Sequence, residues 1–121
     1  MYSVKIKEHI MIAHSLPDSY FGPASKMHGA TYVVTATFKR VQLNNKNVVI
    51  DIGEAFEILK SILSTLAYQN LDELPQFKGI LTTTEFLASY IHRLVRAKIE
   101  DDIRLKIELN ESHIASASYE D

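Results

Sequence analysis

The sequence predicts an α+β domain, an antiparallel four-stranded sheet with two helices on one face. Three observations predict it. Segments near both ends alternate in polarity or collect β-branched and aromatic residues, two central stretches place apolar residues at helical spacing, and 121 residues are too few to fill two independent cores. The order strand, strand, helix, helix, strand, strand groups into one sheet layer and one helix layer, so residues 1–121 read as a single domain.

The first segment, Tyr2 to Ala13, sets Val4 and Ile6 against Lys5 and Lys7 and turns apolar around Ile10-Met11-Ile12, the pattern of a strand entering a sheet interior. Ser15 to Lys26 is polar and turn-rich, with Pro17-Asp18-Ser19, Gly22 and Pro23. It reads as a long loop between strands, a kind of segment that often carries function. Ala30 to Leu43 collects Thr, Val, Tyr and Phe for a second strand, and Asn44-Asn45-Lys46-Asn47 supplies the turn after it. From Glu54 to Leu66, Phe56, Leu59, Ile62, Leu63 and Leu66 share one helical stripe and leave Glu57, Lys60 and Ser61 outward. Tyr68 to Leu81 contains Asn70, Pro75 and Gly79 and reads as irregular. Thr83 or Thr84 then caps a helix running towards Ile99, with Phe86, Leu87, Tyr90, Ile91, Leu94 and Val95 inward. Ile103 to Leu109 alternates strictly and is followed by Ile114 to Tyr119, which gives two strands, or one bent strand, around Asn110-Glu111-Ser112.

Composition narrows the function classes. With 46% hydrophobic and 23% charged residues the chain has the make-up of a soluble globular protein. A formal charge of −2, without a run of lysine and arginine interleaved with aromatics, argues against nucleic acid as a partner. The absence of cysteine excludes disulfides, thiolate metal sites and a cysteine nucleophile. The first residues carry no hydrophobic stretch long enough for export and the chain none long enough for a membrane span, so a cytoplasmic location is expected.

Five histidines are the only strong transition-metal ligands. His14 ends the first strand and His28 opens the second, so a hairpin brings them together across the long loop. Two neutral imidazoles there can bind Zn²⁺, which takes nitrogen ligands at about 2.0–2.1 Å, or can be histidines hydrogen-bonded at strand ends. The residue sharing a face with His28 two positions on is Ala30. His113 follows Glu111 by two residues and shares its face if the strand is regular there, which makes it a candidate third ligand. His9 has the opposite strand parity to His14, and His92 lies beside Ile91 on a helix; both read as structural. Thr82-Thr83-Thr84-Glu85 stands at a helix start, where free N–H groups and hydroxyls meet a carboxylate, and plain helix capping accounts for it without a ligand. Glu111 interrupts an apolar strand pattern near a bend. A carboxylate there can accept two parallel hydrogen bonds from an amidine-like edge, such as the 2-amino group and ring N–H of guanine or pterin.

Taken together the chain resembles the 6-pyruvoyltetrahydropterin synthase / 6-carboxytetrahydropterin synthase family over nearly its whole length. The matching segments are Ala13-His14-Ser15-Leu16, Met27-His28-Gly29-Ala30-Thr31-Tyr32, Val48-Val49-Ile50-Asp51, Leu66 to Leu71, Thr83-Thr84-Glu85-Phe86-Leu87-Ala88, and Asn110-Glu111-Ser112 followed by Tyr119. The resemblance implies the tetrahydropterin-synthase type of fold, with sheets extended between subunits into a barrel and a homohexamer built from trimers, its pockets lying between subunits. It implies Zn²⁺ on His14 and His28, with Ala30 replacing the last histidine of the family's His-Gly-His segment. It also implies a pterin anchor at Glu111 and a pocket lined by Thr83, Thr84 and Glu85.

The family's loop cysteine falls near Ala24, and its Asp-His pair falls on Ala67 and Tyr68, so the proton-handling groups differ. Tyr68 and His113 are the candidate catalytic substitutes, His113 also as the third zinc ligand. The function expected from the resemblance is a pterin-binding, zinc-dependent lyase or synthase-like enzyme with diverged chemistry on a dihydropterin such as dihydroneopterin triphosphate. The alternatives are a catalytically silent pterin- or purine-binding module and a metal-free enzyme of the dihydroneopterin aldolase type.

Overall fold

In the computed structural model, which describes residues 1–121, the alternating N-terminal segment forms β1 (Tyr2–His14) and the β-branched segment forms β2 (His28–Arg40). Helices α1 (Ile52–Leu63) and α2 (Thr84–Arg96) follow, then β3 (Arg104–Asn110) and β4 (Ser116–Glu120). The sheet order is β1-β2-β3-β4 with every neighbour antiparallel, as the element order predicts.

Strand alternation sorts the two faces of the sheet. Ile6, Ile10 and Ile12 of β1, Tyr32, Val34, Ala36 and Phe38 of β2, and Leu105, Ile107 and Leu109 of β3 are buried beneath the helices. The opposite face carries Lys5, Thr37 and Lys106 in one cross-strand row. Met11 is 50% exposed between two buried isoleucines, so β1 keeps its alternation through the stretch that reads as continuously apolar. The helices close the core with Ala55, Leu59, Ile62 and Leu63 from α1 and Leu87, Ala88, Ile91 and Val95 from α2. Each such large aliphatic side chain stabilises the fold by about 1.5–3 kcal/mol through removal from water.

Both helices start at a side-chain cap: Asp51 accepts from the Glu54 N–H at 2.9 Å and Thr83 from the Phe86 N–H at 3.1 Å. α1 stops about one turn before its apolar stripe does, because the chain tightens; the Leu66 N–H reaches back only three residues, to the Leu63 carbonyl at 3.0 Å. Leu66 nevertheless stays buried. The long loop after β1 contains a 3₁₀ segment, Ser19–Ser25, kinked at Gly22 where φ is +58°.

Two further contacts place the site. The connection after α1 runs along the edge of β1, where the Tyr68 N–H donates to the Met11 carbonyl at 2.7 Å and the Ala13 N–H to the Gln69 carbonyl at 3.0 Å. At the other end of the sheet, Arg40 is buried and donates to the Val49 carbonyl, Asp102 and Glu100 at 2.6, 2.6 and 2.8 Å. Each guanidinium nitrogen thereby helps to tie the β2–α1 connection to the turn before β3.

Candidate functional site

A cavity of about 480 Å³ opens at the end of the sheet where β1 finishes and β2 begins. Its histidine side follows from strand register: His14 and His28 are direct cross-strand partners, and their rings lie 4.6 Å apart, edge to face. The hairpin expected from their positions is present. His28 Nδ1 lies 2.8 Å from the Lys26 carbonyl oxygen, which can only accept, so Nδ1 carries a proton, and in the neutral form of the ring Nε2 is the acceptor. His14 Nδ1 lies 3.0 Å from Thr82 Oγ1, and the ring is buried. Burial holds its pKa below the ordinary imidazole value, and His28 pushes the same way, so His14 is kept neutral.

The opposite side is built by α2 and the end of β3. Thr83, Thr84 and Glu85 line the cavity together with Glu111. The three residues divide the work: Thr83 caps the helix, as helix chemistry alone predicts, whereas the Thr84 hydroxyl donates to Glu111 Oε1. Glu111 sits in the turn after β3, its backbone N–H bonded to the Ala115 carbonyl at 3.0 Å. A carboxylate fixed by one hydroxyl on one oxygen retains the lone pairs needed to receive a planar amidine-type edge.

Tyr32 also lines this cavity, and its functional position is not apparent from sequence motifs. It is 2% exposed. Burial raises its phenol above the ordinary value, the hydroxyl of Thr84 opposes this, and Glu111 and Glu85 raise it further. The phenol therefore stays an O–H donor. Its sequence signal is parity, since residues 28, 30 and 32 of one strand share a face. Thr82, the partner of His14, has no such signal because the two are 68 positions apart.

Two expected members are elsewhere. His113 is not on a regular strand; residues 111–114 form a bend, which removes the two-residue parity with Glu111, and the imidazole is exposed and outside the cavity lining. Tyr68 is 84% exposed with φ at +60°, at the β1 edge and also outside the lining. The chain therefore has no group of three His, Cys, Asp or Glu side chains positioned to share a metal ion. A zinc site with three protein ligands does not fit the residues of one chain: His14 and His28 converge, Ala30 offers no donor, and His113 does not replace it.

His9 is exposed on the open face, opposite to the buried His14. His92 is buried with Nε2 2.9 Å from Asp121 Oδ1, a close contact without aligned hydrogen-bond geometry, and its ring stands edge-on to Tyr119. Both act outside the cavity, in keeping with their structural reading.

Comparison with known proteins places the chain in a family. The family model described as 6-pyruvoyl tetrahydropterin synthase matches residues 3–121. A 6-pyruvoyl tetrahydrobiopterin synthase of Dictyostelium discoideum is 34% identical over 73 residues, 59% of this chain and 54% of its own, so the alignment spans about half of that relative. A 6-carboxy-5,6,7,8-tetrahydropterin synthase of Bacillus subtilis (strain 168) is 28% identical over 106 residues, 82% of this chain and 70% of its own. The solved structure of Caenorhabditis elegans 6-pyruvoyl tetrahydropterin synthase superimposes with a TM-score of 0.88 over 99% of this chain and 95% of that one, at 19% identity. The Plasmodium falciparum 6-pyruvoyl tetrahydropterin synthase gives 0.77 over 98% of both chains at 16% identity. Fold, register and the full-length family match thus converge, and the chain belongs to the 6-pyruvoyl tetrahydropterin synthase family.

Proposed function

We propose that this protein binds a dihydropterin through Glu111 and acts on it as a lyase or synthase-like enzyme whose chemistry has diverged from that of its named relatives. The observation that carries the reading is the fixed carboxylate of Glu111, held by the Thr84 hydroxyl in a cavity that also holds the His14–His28 pair. Glu111 receives the 2-amino and ring N–H edge, Tyr32 offers a neutral O–H, and the acceptor nitrogen of His28 faces proton-bearing groups of the ligand.

No step is routed through zinc, because only two imidazoles stand together. Tyr68 and His113 lie outside their own chain's cavity, so their proposed catalytic role requires the pocket of a neighbouring copy. The edge of β1 before Met11 and the outer edge of β4 supply open backbone for such an assembly, proposed as a barrel-forming homohexamer. No helix is long and apolar enough to cross a membrane.

A second reading, a catalytically silent pterin- or purine-binding module, is favoured by Ala24, Ala67 and Tyr68 standing where the resemblance implies a cysteine and an Asp-His pair. Incubation with dihydroneopterin and with its triphosphate, each with and without Zn²⁺, separates the two. A new product identifies the enzyme, and binding without product identifies the module. Failure to bind either compound sinks the enzyme and the pterin-binding form of the module.

A further inference from the structure

The open face of the sheet concentrates charge that the sequence disperses. Strand alternation puts Lys5 and Lys7 of β1, Lys39 of β2, and Arg104 and Lys106 of β3 on it, with Glu108 and Glu120 as its carboxylates. Cations are thus in surplus there, in a chain whose formal charge is −2. The chain's ion pairs use Arg40, Lys60, His92 and Arg96 instead, so none of these five cations is paired. Four of them surround one residue. Lys5 and Lys106 are the cross-strand partners of Thr37, roughly 5 Å away on either side, Lys39 is two positions along β2, and Arg104 is the partner of Lys39. Thr37 is buried among these long side chains, yet its hydroxyl makes no hydrogen bond within the chain. With Lys39, Arg104 and Lys106 it lines a hollow of about 100 Å³. Two carboxylates also border that hollow: Asp121, which accepts from the Leu105 N–H and Arg96, and Glu120, the cross-strand partner of Lys106.

Like charges side by side on a sheet face repel. Association with further copies cannot cancel the surplus, because every copy brings the same face; in a barrel with the helices outside, these faces turn inward and the surplus accumulates. A multivalent anion answers it. Its charges meet the lysines and the planar fork of Arg104, and one of its oxygens accepts from the free Thr37 hydroxyl. We propose that the open face at Thr37 binds an oligophosphate chain through Lys39, Arg104 and Lys106, with Lys5 beside them. The site is separate from the pterin cavity, since it lies on the sheet face away from the helices and near the opposite end of β2 from His28.

The test titrates inorganic tripolyphosphate and orthophosphate into the full-length protein in its native assembly, by calorimetry at low ionic strength. Tripolyphosphate should bind at least about tenfold more tightly than orthophosphate, and its affinity should fall as salt rises. ATP separates the sources of such a chain: affinity at or above that of tripolyphosphate assigns the site to a nucleoside-borne chain, and lower affinity to a free one. Lys39→Gln combined with Arg104→Gln should weaken tripolyphosphate at least about tenfold, whereas Lys60→Gln combined with Lys78→Gln removes equal charge away from this face and should leave binding unchanged. In the unmodified protein, saturating tripolyphosphate should slow acetylation of Lys39 and Lys106 but not of Lys60, read by peptide mass spectrometry. Absence of tripolyphosphate binding at low ionic strength overturns the proposal. Equal loss in the two double variants, or equal protection of Lys60, also overturns it, because the attraction is then diffuse. Tighter binding of a single-stranded DNA oligomer than of tripolyphosphate overturns the assignment to a small anion.

Discussion

The two ends of the cavity are built differently. The carboxylate end is interlocked: Thr83 caps α2, Thr84 holds Glu111, and Glu111 is tied through its backbone to Ala115. The histidine end has two imidazoles that are each oriented by one hydrogen bond but are surrounded by the small residues Ala24, Gly29 and Ala30. The contacts that hold the carboxylate close within a single chain, and the histidine end has donors with space beside them. Recognition and chemistry can therefore separate in this fold, because a ring anchor needs one fixed carboxylate whereas a metal or proton relay needs several groups to converge.

The largest expected effect breaks the complete end. Glu111→Ala should weaken dihydropterin binding at least about a hundredfold, since a charged acceptor of two hydrogen bonds is lost. Calorimetric titration measures it, and an unchanged affinity would remove Glu111 as the anchor. Next comes the repair of the incomplete end. Ala30→His restores a donor on the face of His28 and should raise Zn²⁺ affinity on the order of a hundredfold or more, read by metal analysis after dialysis against a competing chelator. If the unmodified protein already retains stoichiometric zinc, the contrast between the two ends fails. Thr84→Val removes only the hydroxyl that orients Glu111 and should cost about tenfold in dihydropterin affinity, with the fold unchanged by circular dichroism.

The smallest effect lies outside the cavity and tests whether the contrast is local. Asp121 accepts from the Leu105 N–H at 2.8 Å and from Arg96 at 2.9 Å. Burial alone would raise its carboxyl, but the Leu105 N–H, His92 and Arg96 together hold it below its ordinary value of 3.8. A folded-state pKa below the unfolded one contributes stability that is present above the unfolded value and lost as pH falls through the folded one. Asp121→Asn should thus cost about 1 kcal/mol at neutral pH, discounted for partial exposure, and progressively less below pH 3.8, with ligand affinity unaffected. Chemical denaturation across pH checks it.

Legibility in the sequence followed contact range. Strand parity placed His14 against His28 and separated His9 from both, and cap chemistry marked Thr83, because these depend on residues a few positions apart or on one hairpin. The same parity rule failed for His113, since it holds only while the strand is regular, and the chain bends at residues 111–114. The Ile10-Met11-Ile12 run read as an interior strand because three apolar residues in a row hide the alternation; exposure of Met11 restores it.

From its residues and spacing the chain alone determined the α+β order, both helices and the histidine pair, because periodicity and residue chemistry are local properties. Only the tertiary structure decided that Thr84 meets Glu111 across 27 positions and His14 meets Thr82 across 68. It also decided that Tyr32 belongs to the cavity while Tyr68 and His113 do not. Those facts depend on how the helix layer sits on the sheet, and burial of a largely non-directional apolar face sets that packing without leaving a spacing rule in the sequence.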